Sequence, residues 1–320
     1  MVKWIKRIAA VLVIVIAAAL AYVKLVLPNV GKPEALKIEA TPDMVKRGEY
    51  LANHVCVCID CHSKRDWSKF AGPLVNGTEG MGGEAFTKEY GFPGTFYSQN
   101  LTPANLKSWT DGEIFRAITC GVDKNGVALF PVMPYHNYGQ LDREDIISII
   151  AYLRTLKPIE NKIPTAEPEF PMSFLINTIP QKANLTTRPL QENIIDYGKY
   201  LVTAASCSEC HTNVIKGKPV DGMDFAGGRE FKTPGKTITS ANITPDKETG
   251  IGYWTEDAFI AKFKSFEEKS KLQDYKSSKD FQSVMPWNMY AGMDSTDLKA
   301  IYAYLKTLKA INNKVVTNTY

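Results

Sequence analysis

The sequence predicts a mainly α-helical protein built as two tandem copies of one small domain behind an N-terminal transmembrane helix. Three observations lead there. First, the chain repeats itself. Gly48-Glu49-Tyr50-Leu51 answers Gly198-Lys199-Tyr200-Leu201, and Asn100-Leu101-Thr102-Pro103 answers Asn242-Ile243-Thr244-Pro245. Self-similarity over this length marks a duplicated structural unit. Second, each copy ends in a segment with one apolar stripe: Ile146, Ile149, Ile150 and Leu153, then Leu298, Ile301, Tyr302 and Leu305, recur at helical spacing. Third, residues 8–23 are an unbroken apolar run preceded by Lys3, Lys6 and Arg7.

Taken in order, the apolar run comes first. If Lys24 snorkels, residues 25–27 extend the run to a length that crosses a bilayer. The positive flank keeps the N-terminus in the cytoplasm, which places the rest of a single-pass inner-membrane protein on the periplasmic side. A cleaved signal peptide with Ala19-Leu20-Ala21 as its processing site is the rival reading, and it exports the same domains. Residues 1–30 are therefore the anchor or signal, 31–163 the first domain, 164–190 a linker and 191–320 the second domain. Each domain reads as a leading helix, a loop-rich middle and a closing helix. Asp142 and Asp294 stand at the closing-helix N-caps, each with another Asp three residues on. Little alternates with period two, so few strands are expected. Pro164, Pro168, Pro171, Pro180 and Pro189 oppose regular structure in the linker, while Phe170, Met172, Phe174, Leu175 and Ile176 make it too apolar for a solvated tether. It is expected to pack on one or both domains.

The chemistry lies in two copies of Cys-x-x-Cys-His, Cys58 to His62 and Cys207 to His211, at matching places in the repeat. This pattern reads as covalent haem attachment: Cys58 and Cys61, and again Cys207 and Cys210, add across the two vinyl groups, while His62 and His211 reach the iron. Two haem c groups and two tandem cytochrome c-type domains are implied. Zinc is the competing reading. The motifs use four of the six cysteines and two of the four histidines, leaving only His54 and His136 to complete a histidine-containing set.

The opposite iron ligand is expected from Val132-Met133-Pro134 and Val284-Met285-Pro286, which precede the closing helices at equivalent positions. A thioether favours ferrous iron and raises the potential. His136 is the alternative in the first half, where the second has Asn288. Trp109, Trp254 and Arg229 are candidate contacts of the haem propionates, with Glu84 replacing arginine in the first half. Cys56 and Cys120 have no counterparts in the second half. A disulfide is the economical reading in an oxidising compartment, with two free thiols or a thiolate iron ligand as alternatives.

The formal charge of +4 resides in Lys3, Lys6, Arg7 and Lys24, and the remaining chain is balanced. That composition points away from nucleic acid, and no Walker or dinucleotide glycine loop is present. Residues 262–279, dense in Lys and Glu, exceed their first-half counterpart and are a candidate docking patch for a redox partner, or simply a solvated segment. The chain thus reads as an electron-transfer protein with no catalytic residues of its own. A dihaem enzyme, either a peroxidase or a thiosulfate-oxidising cytochrome, is the alternative.

With these motifs placed, the chain resembles the membrane-anchored cytochrome c subunits of periplasmic alcohol, aldehyde and gluconate dehydrogenases. The likeness is closest at Phe225-Ala226-Gly227-Gly228, Thr233-Pro234-Gly235, Asn242 to Asp246, Thr249 to Gly252 with Trp254, and Met285-Pro286. It is looser at Asn100 to Pro103, Trp109-Thr110-Asp111 and Met133-Pro134-Tyr135. The resemblance implies redox partner proteins: a dehydrogenase or quinol-oxidising complex as donor, and an oxidase or another cytochrome as acceptor. Such subunits commonly carry three haems, whereas this chain has two motifs.

Overall fold

The structure is a computed structural model that describes residues 2–233, 236–268, 274 and 282–319. Helix Val2–Leu25 has 24 residues and buries none of them. At 1.5 Å per residue it is about 36 Å long, enough to cross a hydrocarbon layer of about 30 Å. The chain then runs extended along the first half, where Ile38 N donates to Asp111 Oδ2 at 2.9 Å and Arg143 pairs with Glu34 at 2.7 Å.

Each half is organised by two crossing helices. The leading helices, Pro42–Tyr50 and Ile194–Ala204, pack on the closing helices, Arg143–Thr155 and Ser295–Thr307. The repeated glycine explains the closeness of both crossings. A Cβ on Gly48 would lie 1.8 Å from the Ser148 carbonyl oxygen, and one on Gly198 would lie 2.0 Å from that of Ala300. The apolar stripes face inward as expected, with Ile146, Ile149, Ile150, Leu153, Leu298, Ile301 and Leu305 buried in a core shared by both halves. One residue more separates Gly48 from Cys58 than Gly198 from Cys207. The first half absorbs it as a π-helical turn, Leu51–Val55, closed by Cys56 N donating to Leu51 O at 2.7 Å.

Small sheets depart from the sequence expectation. Ala85–Phe86, Gly94–Tyr97 and Glu167–Pro168 form one, Val214–Ile215 with Lys218–Pro219 another, and Glu230–Thr233, Lys236–Thr239 and Asn318–Thr319 a third. Strands of two to four residues are too short to display an alternating pattern. The linker packs as its composition requires. It adds Glu167–Pro168 to the first sheet and sets Ile176 and Met172 against Phe86, Phe92, Phe96 and Phe130. Of the candidate docking patch, helix Glu256–Lys264 contains the beginning, while residues 269–273 and 275–279 lie outside the described residues, as do Pro234 and Gly235.

Two tyrosines join the halves reciprocally. Tyr50 OH donates to Asp297 Oδ2 at 2.7 Å and accepts from Asp294 N at 3.0 Å. Tyr200 OH donates to Asp145 Oδ2 at 2.7 Å and accepts from Asp142 N at 3.1 Å. Each leading helix thereby caps the closing helix of the other half. The carboxylates differ in what else they meet. Burial pushes Asp145 upward, but the bidentate Arg47 bond, its charge, Tyr200 and Arg188 outweigh burial and hold it below the usual range. Asp297 has Tyr50 and Tyr197 but no arginine bonded to it, and burial raises it.

Asp145→Asn, which leaves two arginines without their counter-charge, is expected to cost about 3–5 kcal/mol in denaturant unfolding, whereas Asp297→Asn costs far less. The pH profiles should have opposite signs. Stabilisation from Asp145 is complete above the ordinary carboxyl pKa of about 3.9 and disappears as pH falls through its lowered folded value. The raised pKa of Asp297 instead removes stability as pH rises from the ordinary value through the folded one.

Candidate haem sites

Both motifs begin in the same strained way. Val57 (φ 47°, ψ 37°) and Ser206 (φ 54°, ψ 36°) adopt the left-handed conformation, and the short helices Cys58–Cys61 and Cys207–His211 follow. Helical spacing puts the two cysteines of each motif one turn apart on one side. The histidine is then fixed by its far nitrogen: His62 Nδ1 donates to the Gln99 carbonyl at 2.7 Å, and His211 Nδ1 to that of Ala241 at 2.7 Å. A carbonyl can only accept, so Nδ1 carries the proton and Nε2 keeps its lone pair, the arrangement of a metal-ligating histidine. Burial lowers both imidazole pKa values, against the opposing effect of those carbonyls, and favours the neutral form that a ligand needs.

A glycine pair completes each cradle. Gly82 N donates to His62 O at 2.8 Å and Gly227 N to His211 O at 2.7 Å. Both glycines have φ +71°, and a Cβ on either would lie 2.6 Å from Gln99 or 2.5 Å from Ala241 main chain. The segment carrying the Nδ1 acceptor can lie close to the motif only because no side chain intervenes.

The methionines stand on matching inverse γ-turns. Pro134 and Pro286 have ψ of 55° and 63°, and Tyr135 N and Trp287 N return to Met133 O and Met285 O, each at 2.8 Å. The following helices, Tyr135–Tyr138 and Trp287–Tyr290, are tied to the motifs: Tyr138 OH donates to Cys56 O and Tyr290 OH to Ala205 O, both at 2.8 Å. Met133, Met285, Cys58 and Cys207 all pack half-buried against the shared core.

The competing chemistries fit less well. Burial pushes the Cys58, Cys61 and Cys207 thiols up to about 12. A dithiol redox centre needs a lowered thiol pKa. Among the described residues, no three His, Cys, Asp or Glu side chains gather into a metal-holding group.

The remaining candidates divide. Among the described residues the buried Trp109 indole N–H has no partner, nor has either amide atom of Asn288, so each half has a polar group available to a bound cofactor. Trp254 is more open, at 38% exposed. Arg229 donates to the carbonyl of Glu209, between Cys207 and Cys210, at the edge of the second site. Glu84 accepts from the Trp67 indole at 3.3 Å. His136 is engaged on its outer side by linker Gln181, at 2.6 Å. His54 donates from Nδ1 to Met289 O at 2.9 Å across the interface, where Gly292 leaves room for its ring. The disulfide expected between Cys56 and Cys120 is not formed. Both thiols are buried and free, Cys56 on the π turn in the main core and Cys120 beside the Thr119 hydroxyl at 3.5 Å.

Two features escaped the sequence reading. Asp60, inside the first motif, is buried and paired with Arg65 at 3.1 Å; burial raises its pKa to about 6, with Arg65 opposing. On the other side, Gln282 bridges the halves: its Oε1 accepts from Ala71 N at 2.7 Å and Ser283 N at 2.9 Å, and its Nε2 donates to Lys69 O at 3.1 Å. Ser283 Oγ then accepts from Met285 N at 3.1 Å and Trp287 Nε1 at 3.2 Å. The methionine turn of the second half is thus held by a loop of the first. The only trace in sequence is that Phe130 and Pro131 occupy the corresponding first-half positions.

Residues 195–309, in the second half, match the cytochrome c family model. Over most of its length the chain is a distant homologue of cytochrome c subunits of dehydrogenases. It is 26% identical over 289 residues to the cytochrome c subunit of the alcohol dehydrogenase (quinone) of Gluconobacter oxydans (strain 621H), covering 85% of this chain and 56% of that protein. It is 27% identical over 290 residues to the gluconate 2-dehydrogenase cytochrome c subunit of Pantoea cypripedii, covering 85% and 61%. A dihaem cytochrome c-type protein of Cereibacter sphaeroides is 26% identical over 270 residues, covering 79% and 82%. The chain spans less than two thirds of the length of those two dehydrogenase subunits.

Gly82→Ala and Gly227→Ala should each destabilise the protein by about 1–3 kcal/mol, read as a lower denaturation midpoint. Haem attachment should fall in the altered half alone, read as the haem mass retained on each motif peptide.

Proposed function

We propose that both halves are cytochrome c domains and that the chain is a dihaem electron relay. The observation that carries this is the pairing of the two sites. Motif helix, histidine-to-carbonyl bond, glycine cradle and methionine turn recur with the same partners in each half. Cys58 and Cys61 would hold one haem c by thioether bonds, and Cys207 and Cys210 the other. His62 with Met133, and His211 with Met285, would be the axial ligands. Trp109, Trp254 and Arg229 would contact the haem propionates. The bound haem supplies a one-electron ferric/ferrous couple. The chain's residues fix the imidazole tautomer, would supply a thioether as the second iron ligand and hold the halves rigidly together.

Helix Val2–Leu25 anchors the protein in the inner membrane, with both halves in the periplasm. A dehydrogenase or quinol-oxidising complex serves as donor and an oxidase or another cytochrome as acceptor; the dehydrogenase subunits among the relatives favour a dehydrogenase donor.

The test is to purify the protein from a host with c-haem maturation, count haems by intact mass and record optical and EPR spectra. Two covalent haems, both low-spin with a methionine-sulfur band, are expected; one haem, or a high-spin or thiolate signal, would refute the relay as stated. Met133→Leu and Met285→Leu should each convert one haem to high spin, leaving the other unchanged. Gln282→Ala should weaken the methionine band of the second haem and spare the first, a pattern that general destabilisation would not produce.

A further inference from the structure

The linker presents two opposite sides. Met172 and Ile176 are packed into the aromatic cluster of Phe86, Phe92, Phe96 and Phe130. Phe170 is 87% exposed and Leu175 43% exposed, on the outer side of the same turn. This turn sits against the N-terminal helix, which contacts Met172–Leu175 and the following Ile176–Thr178. A hydrogen bond fixes the level: Asn177 Nδ2 donates to the Val23 carbonyl at 3.2 Å. Val23 lies in the last turn of its helix, where carbonyls lack intrahelical partners. It immediately precedes Lys24, the charge expected at the edge of the hydrocarbon.

We propose that the outer side of this turn, Phe170 and Leu175, inserts into the lipid–water interface beside the anchor, making the linker a second membrane contact. The occupant is a phospholipid bilayer because the turn packs against a helix of 24 residues, none buried, long and apolar enough to cross one. Aromatic and apolar side chains are stable at that depth. The charge next to Phe170 is already matched, since Glu169 pairs with Lys88. The linker is in turn bonded to the first half through Asn184 N to Gly139 O at 2.8 Å, Thr186 Oγ1 to Gln140 O at 2.6 Å and Arg188 to Asp145. Lipid contact at Phe170 therefore orients the haem-bearing body over the membrane. This inference rests on the anchor reading of Val2–Leu25.

The experiment uses the full chain, matured with haem and reconstituted in phosphatidylethanolamine–phosphatidylglycerol vesicles. A photoreactive benzoylphenylalanine replaces Leu12 in the anchor, Phe170, Leu175 or, as a control, Tyr253, which is 76% exposed in the second half. Mass spectrometry after illumination is expected to find lipid adducts at 12, 170 and 175 and none at 253. Adducts at 12 alone would overturn the linker contact and leave the anchor standing. No adduct at 12 would overturn the anchor reading and this inference with it. A protein adduct at 170 in place of lipid would assign the patch to a second copy of the chain, and equal labelling at 253 would mean the reaction lacks the proposed orientation; either overturns the inference.

Discussion

The architecture depends on two phenol groups that cross between the halves. Tyr50 and Tyr200 each donate a hydrogen bond to a buried carboxylate and accept one from the N-cap N–H of the other half's closing helix. Free helix N-termini are electropositive and hold unsatisfied N–H groups, so each half lacks something that the other supplies. The result is a pseudo-symmetric lock whose two carboxylates, Asp145 and Asp297, are buried, where hydrogen bonds are strongest and unpaired groups most costly.

From that lock the geometry reaches the sites through short connections. Tyr50 and Tyr200 lie on helices that cross their partners at Gly48 and Gly198, and those helices lead the chain to Cys58 and Cys207. On the far side, Tyr138 and Tyr290 bond the methionine-turn helices to the carbonyls just before the motifs. Displacing one helix would therefore move the histidine and methionine together. A centre that changes oxidation state without rearranging benefits from such a frame.

Symmetry ends at the charges. Asp145 is held by Arg47 and Arg188, whereas Asp297 has only hydroxyl donors bonded to it. A buried Asp60–Arg65 pair stands inside the first motif; at the second, Glu209 and Arg229 are more open. The π turn brings His54 to Met289, and Gln282 ties the second methionine turn to residues 69–71. The two halves thus surround their Cys-x-x-Cys-His motifs with different charges.

Sequence by itself determined whatever depends on local spacing. Cys-x-x-Cys-His, the paired methionines, the apolar stripes of the closing helices, the repeated glycines and the apolar N-terminal run are fixed by neighbours within a few turns, and each was legible. Tertiary structure decided what depends on distant partners. The freedom of Cys56 and Cys120, the engagement of His136 by Gln181, the short strands, the Gln282 bridge and the roles of Asp145 and Asp297 are set by contacts between residues far apart in sequence, for which a residue's neighbours carry no signal. Asp142 and Asp145 show the division: their N-cap spacing predicted a helix start, but only the folded chain, by placing Tyr200 between them, made them the joint on which both halves rest.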